Sequence, residues 1–223
     1  MSRKNALVVW GGYPGHQPRE AVERFIPFLR SAGFAVVERD DLAAYEDAAL
    51  MSSVRLILQN WTTGDLTMPQ FQGLRDAVLA GAGLAGWHGG LCDAFRHLPP
   101  YQFMTGGQWL AHPGGSHAEY TVDIAPGALA DPIMAGIGPS FSLVSEQYYL
   151  AVDPAVEVLA TTTFRRPEEA PWIEQAIIPA AWRRRWGDGR IFYVSWGHSA
   201  ADFDVPEARL IVERGMLWAS ASR

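Results

Sequence analysis

The feature that most constrains this chain is the alternation of short apolar runs with amphipathic segments through its first half. Ala6 to Trp10 is apolar throughout and ends at Gly11-Gly12, which reads as a buried strand followed by a turn. Pro18 to Ser31 carries Ala21, Val22, Phe25, Ile26 and Leu29 at helical spacing, with Gly33 as a stop. Pro27 inside that helix predicts a kink, because proline removes a backbone donor and crowds the preceding turn. Strands are expected at Phe34 to Val37, Val54 to Leu58 and Gly83 to Trp87. Ahead of the last, Thr67 and Gln70 have capping-box spacing, Phe71, Leu74 and Val78 share a face, and Gly81 ends the helix. This rhythm predicts an α/β fold: a three-layer, doubly wound, mostly parallel sheet of flavodoxin-like type.

The second half reads differently. Ala118, Tyr120, Val122 and Ile124 alternate with polar residues, as in a strand with one wet face. Further strands are expected at Glu157 to Phe164 and Ile177 to Trp182, the latter pairing with Arg190 to Ser195 across Gly187-Asp188-Gly189 as an antiparallel hairpin near the C-terminus. A final helix is expected to open at Asp204, with Glu207 at capping-box spacing. No repeat or linker divides the chain, so residues 1–223 are expected to form one domain.

A net charge of −6 argues against a nucleic-acid partner, which needs a basic face. The basic run Arg183-Arg184-Arg185 is expected at the exposed end of the hairpin, solvated or contacting an anion. The apolar run at Ala6 to Trp10 is too short for a membrane span or a signal-peptide core, so no membrane partner is expected and a cytoplasmic location is the default. Cys92 is the one cysteine, which rules out an internal disulfide; a lone Cys is usually a small buried hydrophobe. Nine Trp in 223 residues either fill a large core or line a pocket. A homo-oligomer is left open.

Four of the six histidines lie in Gly- or Pro-rich loops: His16, His88, His112 and His198. Three of these loops directly follow expected strands, and in a parallel sheet such loops gather at the carboxyl edge, where ligands bind. His97 and His117 read as structural or surface residues. At Gly86-Trp87-His88-Gly89-Gly90, flanking glycines permit the tight strand-to-helix turn that pushes one side chain into the crevice. The following helix would aim its unpaired N–H groups and positive dipole end at the same space. The alternative is that Gly89-Gly90 only lets the helix pack closely on the sheet.

The chain resembles the trehalose-utilisation (ThuA-like) family, which has the class I glutamine-amidotransferase-like fold. The resemblance spans the chain through Gly11-Gly12 with His16, Gly86-Trp87-His88-Gly89-Gly90, Gly107-x-Trp109-x-x-His112-Pro113, Asp131-Pro132-Ile133 leading to Glu146 and Tyr148, Pro179-x-x-Trp182, and Gly189-Arg190-Ile191-Phe192-Tyr193 with Gly197-His198. His88 stands where glutamine amidotransferases carry their nucleophilic Cys, which argues against glutamine hydrolysis. Residue 200 is Ala where an acidic partner of His198 would stand; Asp202 and Asp204 are nearby substitutes.

The resemblance implies sugar or disaccharide catabolism, with a keto-sugar as small-molecule substrate. Proton abstraction next to the carbonyl is the chemistry such a substrate invites. His88 would act as base or polarising group, His198 as proton shuttle, and Glu146 and His112 would position hydroxyls or bind metal. Trp87, Trp109 and Trp196 would offer flat faces to a sugar ring, and Gly89 and His16 count with the ligand-binding residues. A second reading places Zn²⁺ or Mn²⁺ on His16, His88, His112 and His198, giving a metal-dependent hydrolase of a carbohydrate-like substrate. A third keeps the pocket for sugar binding or regulation without catalysis. Four loop histidines favour an enzyme, since sugar binding alone needs no groups that exchange protons near neutrality.

Overall fold

The computed structural model describes residues 4–221. In chain order the strands are β1 (Lys4–Gly12), β2 (Phe34–Arg39), β3 (Val54–Thr62), β4 (Gly83–Trp87), β5 (Gly107–Ala111), β6 (Ala118–Ile124), β7 (Ser140–Ser145), β8 (Tyr149–Val152), β9 (Glu157–Phe164), β10 (Ala176–Trp186) and β11 (Gly189–Val194). The helices are α1 (Pro18–Glu23), α2 (Ile26–Ser31), α3 (Ala48–Ser53), α4 (Met68–Leu79), α5 (Gly89–Cys92), α6 (Pro99–Thr105) and α7 (Pro206–Ser220).

Nine strands form one sheet in the order β2-β1-β3-β4-β11-β10-β9-β6-β7. The first five run parallel, as the strand-helix rhythm requires. The expected C-terminal hairpin is present as β10 and β11, and the antiparallel region extends beyond it through β9, β6 and β7. β5 and β8 make a separate two-stranded antiparallel sheet that the sequence pattern did not signal.

Alternate residues of the parallel strands feed two cores. Ala6, Val8, Leu56 and Leu58 pack with Ala21, Phe25 and Leu29 of the first helical segment and with Ala208, Ile211 and Met216 of α7. Leu7, Val9 and Ile57 point the other way, to Met51 of α3, Phe71, Leu74 and Val78 of α4, and Tyr101 and Met104 of α6. Strands buried on both faces read as unbroken apolar runs, which is why β1, β3 and β4 were visible in the sequence.

Local signals hold in detail at α4, where Thr67 and Gln70 make both hydrogen bonds of a capping box. The kink expected at Pro27 is a break: Arg24 and Phe25 separate α1 from α2, and Pro27 falls in the first turn of α2, where its missing N–H has no bond to lose. The start of α7 is a correction. Asp204 does not cap it; its carboxylate binds Arg24 at 2.6 Å, and the helix opens on Pro206 with no side-chain cap. The arginine run is also corrected. Arg183 pairs with Asp131 at 2.7 Å and Glu157 at 2.6 Å, and Arg184 with Asp153 at 2.9 Å, so two of the three are half-buried and engaged in ion pairs within the chain. Among the described residues no helix is long and apolar enough to cross a membrane.

Candidate functional site

β1, β4 and β11 end at the same edge of the sheet, and the loops after them bring His16, His88 and His198 together. His88 occupies the elbow with φ 48° and ψ −133°, a conformation that non-glycine residues adopt at a cost of about 1–3 kcal/mol. Its backbone is held on both sides: its N–H donates to the Val194 carbonyl at 2.7 Å, and the Tyr193 hydroxyl donates to its own carbonyl at 3.1 Å. The neighbouring glycines permit close approach. A Cβ on Gly89 would lie 2.6 Å from Thr62 and 2.9 Å from the His16 ring, and one on Gly90 would lie 2.7 Å from the Asn60 Cα. The close-packing reading of Gly89-Gly90 is therefore the observed one, and Gly89 is not placed as a ligand contact. α5 is four residues long, so the expected contribution from a helix dipole is also withdrawn.

Three ring nitrogens converge on one carboxylate oxygen. Glu146 Oε2 lies 3.0 Å from His88 Nε2, 3.3 Å from His198 Nδ1 and 3.9 Å from His16 Nε2. All four donor atoms lie within 4.8 Å of one another. Ligands of a tetrahedral ion at about 2.0–2.1 Å sit roughly 3.3 Å apart, so this cluster is close enough to hold an ion once its wider pairs draw in. His112 lies outside the group, with its Nε2 3.9 Å from the other oxygen, Oε1.

The tautomers sharpen this fit. His88 Nδ1 faces the Ser195 carbonyl at 2.9 Å, and a carbonyl only accepts, so Nδ1 carries the proton. In the neutral ring the Nε2 lone pair then points at a carboxylate oxygen, an arrangement that needs a proton or a cation between them. His16 is oriented by Thr62, whose Oγ1 is 3.0 Å from Nδ1. Burial, reinforced by His88 and His198, lowers the His16 pKa to about 3, which keeps its ring neutral and ready to ligate. Burial alone would raise the Glu146 carboxyl, but hydrogen bonds from His198 and His88 hold it well below the usual carboxylate range. Donating to the Glu146 carboxylate raises the His198 pKa, against the effect of burial.

Glu146 comes from the antiparallel half, one residue after β7. Ser145, the last residue of that edge strand, donates to Asp202, and so the far edge of the sheet returns to the loop after β11. Asp202 also accepts from the Gly197 and His198 N–H groups at 3.0 and 3.1 Å and from the Ser199 hydroxyl at 3.0 Å. It thus positions His198 through the backbone, whereas Glu146 contacts the imidazole. This corrects the expectation that Asp202 or Asp204 replaces the missing acidic partner. The Tyr148 ring stacks on His88 with centroids 3.8 Å apart.

A cavity of about 400 Å³ opens on this cluster, lined by His16, Glu146, Tyr148, His112, Trp109 and the Asp93–Arg96 pair, among others. That size suits a small polar ligand. Of the three tryptophans expected there, only Trp109 lines it. Trp87 and Trp196 are fully buried: Trp87 packs on Phe25 and Phe203, and Trp196 on Phe141 with its indole N–H bonded to the Ala208 carbonyl. Both are core residues, a correction to their reading as sugar platforms. Cys92 is buried and its thiol pKa is pushed up by desolvation, while His97 and His117 are exposed, as expected for residues outside the chemistry. Thr62, Asp93 and Arg96 had no local sequence signal that would have assigned them roles, and Tyr148 was marked by the family motif without a role. Non-glycine residues with positive φ gather here, at Gln17 (47°), Thr63 (60°), His88 (48°) and Phe95 (50°), as strained backbone does at working sites.

Comparison with known proteins agrees with this architecture. A ThuA-like protein from Bacteroides uniformis ATCC 8492 superposes with TM-score 0.76 at 18% identity, covering 97% of this chain and 91% of that one. One from Parabacteroides merdae ATCC 43184 gives 0.74 at 14% identity over 99% and 91%. A cytoplasmic protein from Salmonella typhimurium LT2 gives 0.64 at 11% identity over 98% and 100%. At these identities the likeness shows the fold alone. No curated protein matches the sequence. The model of the ThuA family, described as trehalose utilisation, matches residues 5–219. The chain belongs to the trehalose-utilisation (ThuA) family.

Proposed function

We propose that this protein is an enzyme of trehalose or related sugar utilisation that moves a proton next to the carbonyl of a keto-sugar, at a divalent metal site. The observation that carries this reading is the convergence of His16, His88 and His198 nitrogens on Glu146 Oε2, all within 4.8 Å of one another. These four residues would hold Zn²⁺ or Mn²⁺, and the bound ion would supply Lewis-acid polarisation of a carbonyl oxygen. His88 and His198, read from sequence as base and shuttle, become ligands in this account.

The proton then falls to His112. It is the one loop histidine outside the ligand group, it lines the same cavity, and its side chain is 39% exposed. Its imidazole would take the proton from the hydroxyl-bearing carbon beside the carbonyl and return it to the former carbonyl carbon, while the proton of that hydroxyl passes to the former carbonyl oxygen, so that no atom is gained or lost overall. Ionised Glu146, 3.9 Å from His112 Nε2, stabilises the imidazolium formed in between. Absence of a thiol at the elbow and the buried, protonated state of Cys92 argue against an acyl-enzyme route.

The test is deuterium exchange. Incubated in D₂O with mono-keto derivatives of trehalose and glucose, the wild-type protein is expected to incorporate deuterium next to the carbonyl. H112A and chelated protein should lose this. Bond cleavage without exchange would replace the reading with the hydrolase alternative.

A further inference from the structure

One wall of the cavity is built by a pair that the proposed chemistry does not use. Asp93 follows α5 directly, is 5% exposed, and its two carboxylate oxygens accept from Nε and one Nη of Arg96. The Arg96 Cζ lies 4.4 Å from the centroid of the Trp109 indole. The guanidinium is therefore fixed on two sides, by a fork of hydrogen bonds and by an aromatic face. Its mounting is stiff as well: the Thr63 N–H donates to the Asp93 carbonyl at 2.9 Å, and Thr63 and Phe95, on either side of the contact, both hold positive φ.

An arginine has five N–H donors, and Asp93 accepts two of them. No other described residue accepts from the rest, and the side chain is 43% exposed at the cavity. Two ring nitrogens of residues that line the same cavity, Trp109 Nε1 and His112 Nδ1, are buried without a protein partner. The polar group that the cavity itself presents is therefore the free side of the Arg96 guanidinium. Asp93 has meanwhile cancelled the guanidinium charge, so this edge supplies hydrogen bonds without net attraction for an anion. A phosphate or carboxylate brought to Arg96 would also meet the Asp93 carboxylate.

We infer that Arg96, held by Asp93 and Trp109, is the specificity-determining residue of the cavity and selects neutral, polyhydroxylated ligands over sugar acids and sugar phosphates. The inference rests on the reading that this cavity is the substrate site. It does not depend on the identity of the ion or on the proton transfer.

The full-length chain is titrated with trehalose, D-glucose, D-gluconate and glucose 6-phosphate, followed by tryptophan fluorescence and calorimetry, with and without chelator. In the chelated protein, where no bound ion attracts an anion, wild type is expected to bind a neutral sugar more tightly than either anion. R96Q should weaken neutral-sugar binding about tenfold, the loss of one or two hydrogen bonds. D93N releases the guanidinium charge and should turn the preference toward gluconate and the phosphate, with a new dependence on salt that a merely structural role would not produce. Circular dichroism checks that both variants fold. Preference of the chelated wild type for an anion, unchanged binding in R96Q, or binding of none of the four would overturn the inference. Sugar binding that survives chelation while deuterium exchange is absent from the wild type would refute the proposed chemistry and leave this inference standing.

Discussion

The parallel and antiparallel halves of the sheet contribute to one site in unlike ways. The parallel half delivers His16, His88 and His198 from three strand ends, and the latter two are tied to backbone: His88 by Val194 and Ser195, His198 through Asp202. The antiparallel half delivers one ligand, Glu146, from just after an edge strand whose last residue, Ser145, is tied by its hydroxyl to Asp202. Three ring nitrogens come from strand-end loops; the negative charge that completes the set arrives from across the molecule. Such a division makes the site a point where the two halves are joined, and it can be broken from either side.

The largest effect should come from removing the crossing ligand. E146A is expected to cut Zn²⁺ or Mn²⁺ affinity by more than the roughly 10–100-fold typical of losing an outer-shell partner. Calorimetric titration checks this, and affinity within threefold of wild type would break the assignment. Next is the joint between the halves. D202A leaves the Gly197 and His198 N–H groups without their acceptor, which should cost about 1–3 kcal/mol of stability, and it should weaken metal binding by roughly 10–100-fold. Urea melts and metal titration report the two losses separately.

A pH effect follows from the metal-free site. The folded-state pKa of His16 is lowered to about 3 from an ordinary 6.5, so between these values the unfolded chain binds a proton that the native state refuses. Stability of the chelated protein should therefore fall as pH drops through that window. H16N should flatten the slope, and an unchanged slope would count against a buried neutral His16. His198 works in the opposite sense: its pKa is raised by Glu146, so its contribution is present below 6.5 and is lost as pH rises through the raised value. The smallest effect belongs to surface far from this joint. Trp172, 77% exposed, should be replaceable by Ala within about 0.5 kcal/mol and without change in metal affinity.

The same division governs what the sequence could reveal. Continuous apolar runs and the Thr67–Gln70 cap marked the parallel half, and the glycines around His88 marked the elbow. The phase of a strand buried on both faces carries no polar reference, so the sequence could not tell that Trp87 points into the core while the next residue, His88, turns toward Glu146. Glu146 was named from family motifs, not from pattern: a single acidic residue after a short edge strand has no local signature, and its meeting with His88 is 58 residues distant. Asp202 was noticed as an acidic neighbour of His198, yet its bonds run to backbone N–H groups and two serine hydroxyls, which side-chain type alone does not disclose. Arg96 and Asp93 became legible only once the cavity placed them beside Trp109.

The central claim is that His16, His88, His198 and Glu146 form one divalent metal site. The direct measurement is elemental analysis of protein purified without a metal-affinity step, before and after equilibration with Zn²⁺ and Mn²⁺, for wild type and E146A. The account predicts one ion per chain in the wild type and a large loss in E146A. Wild-type protein that holds no stoichiometric ion after equilibration with either metal would contradict it.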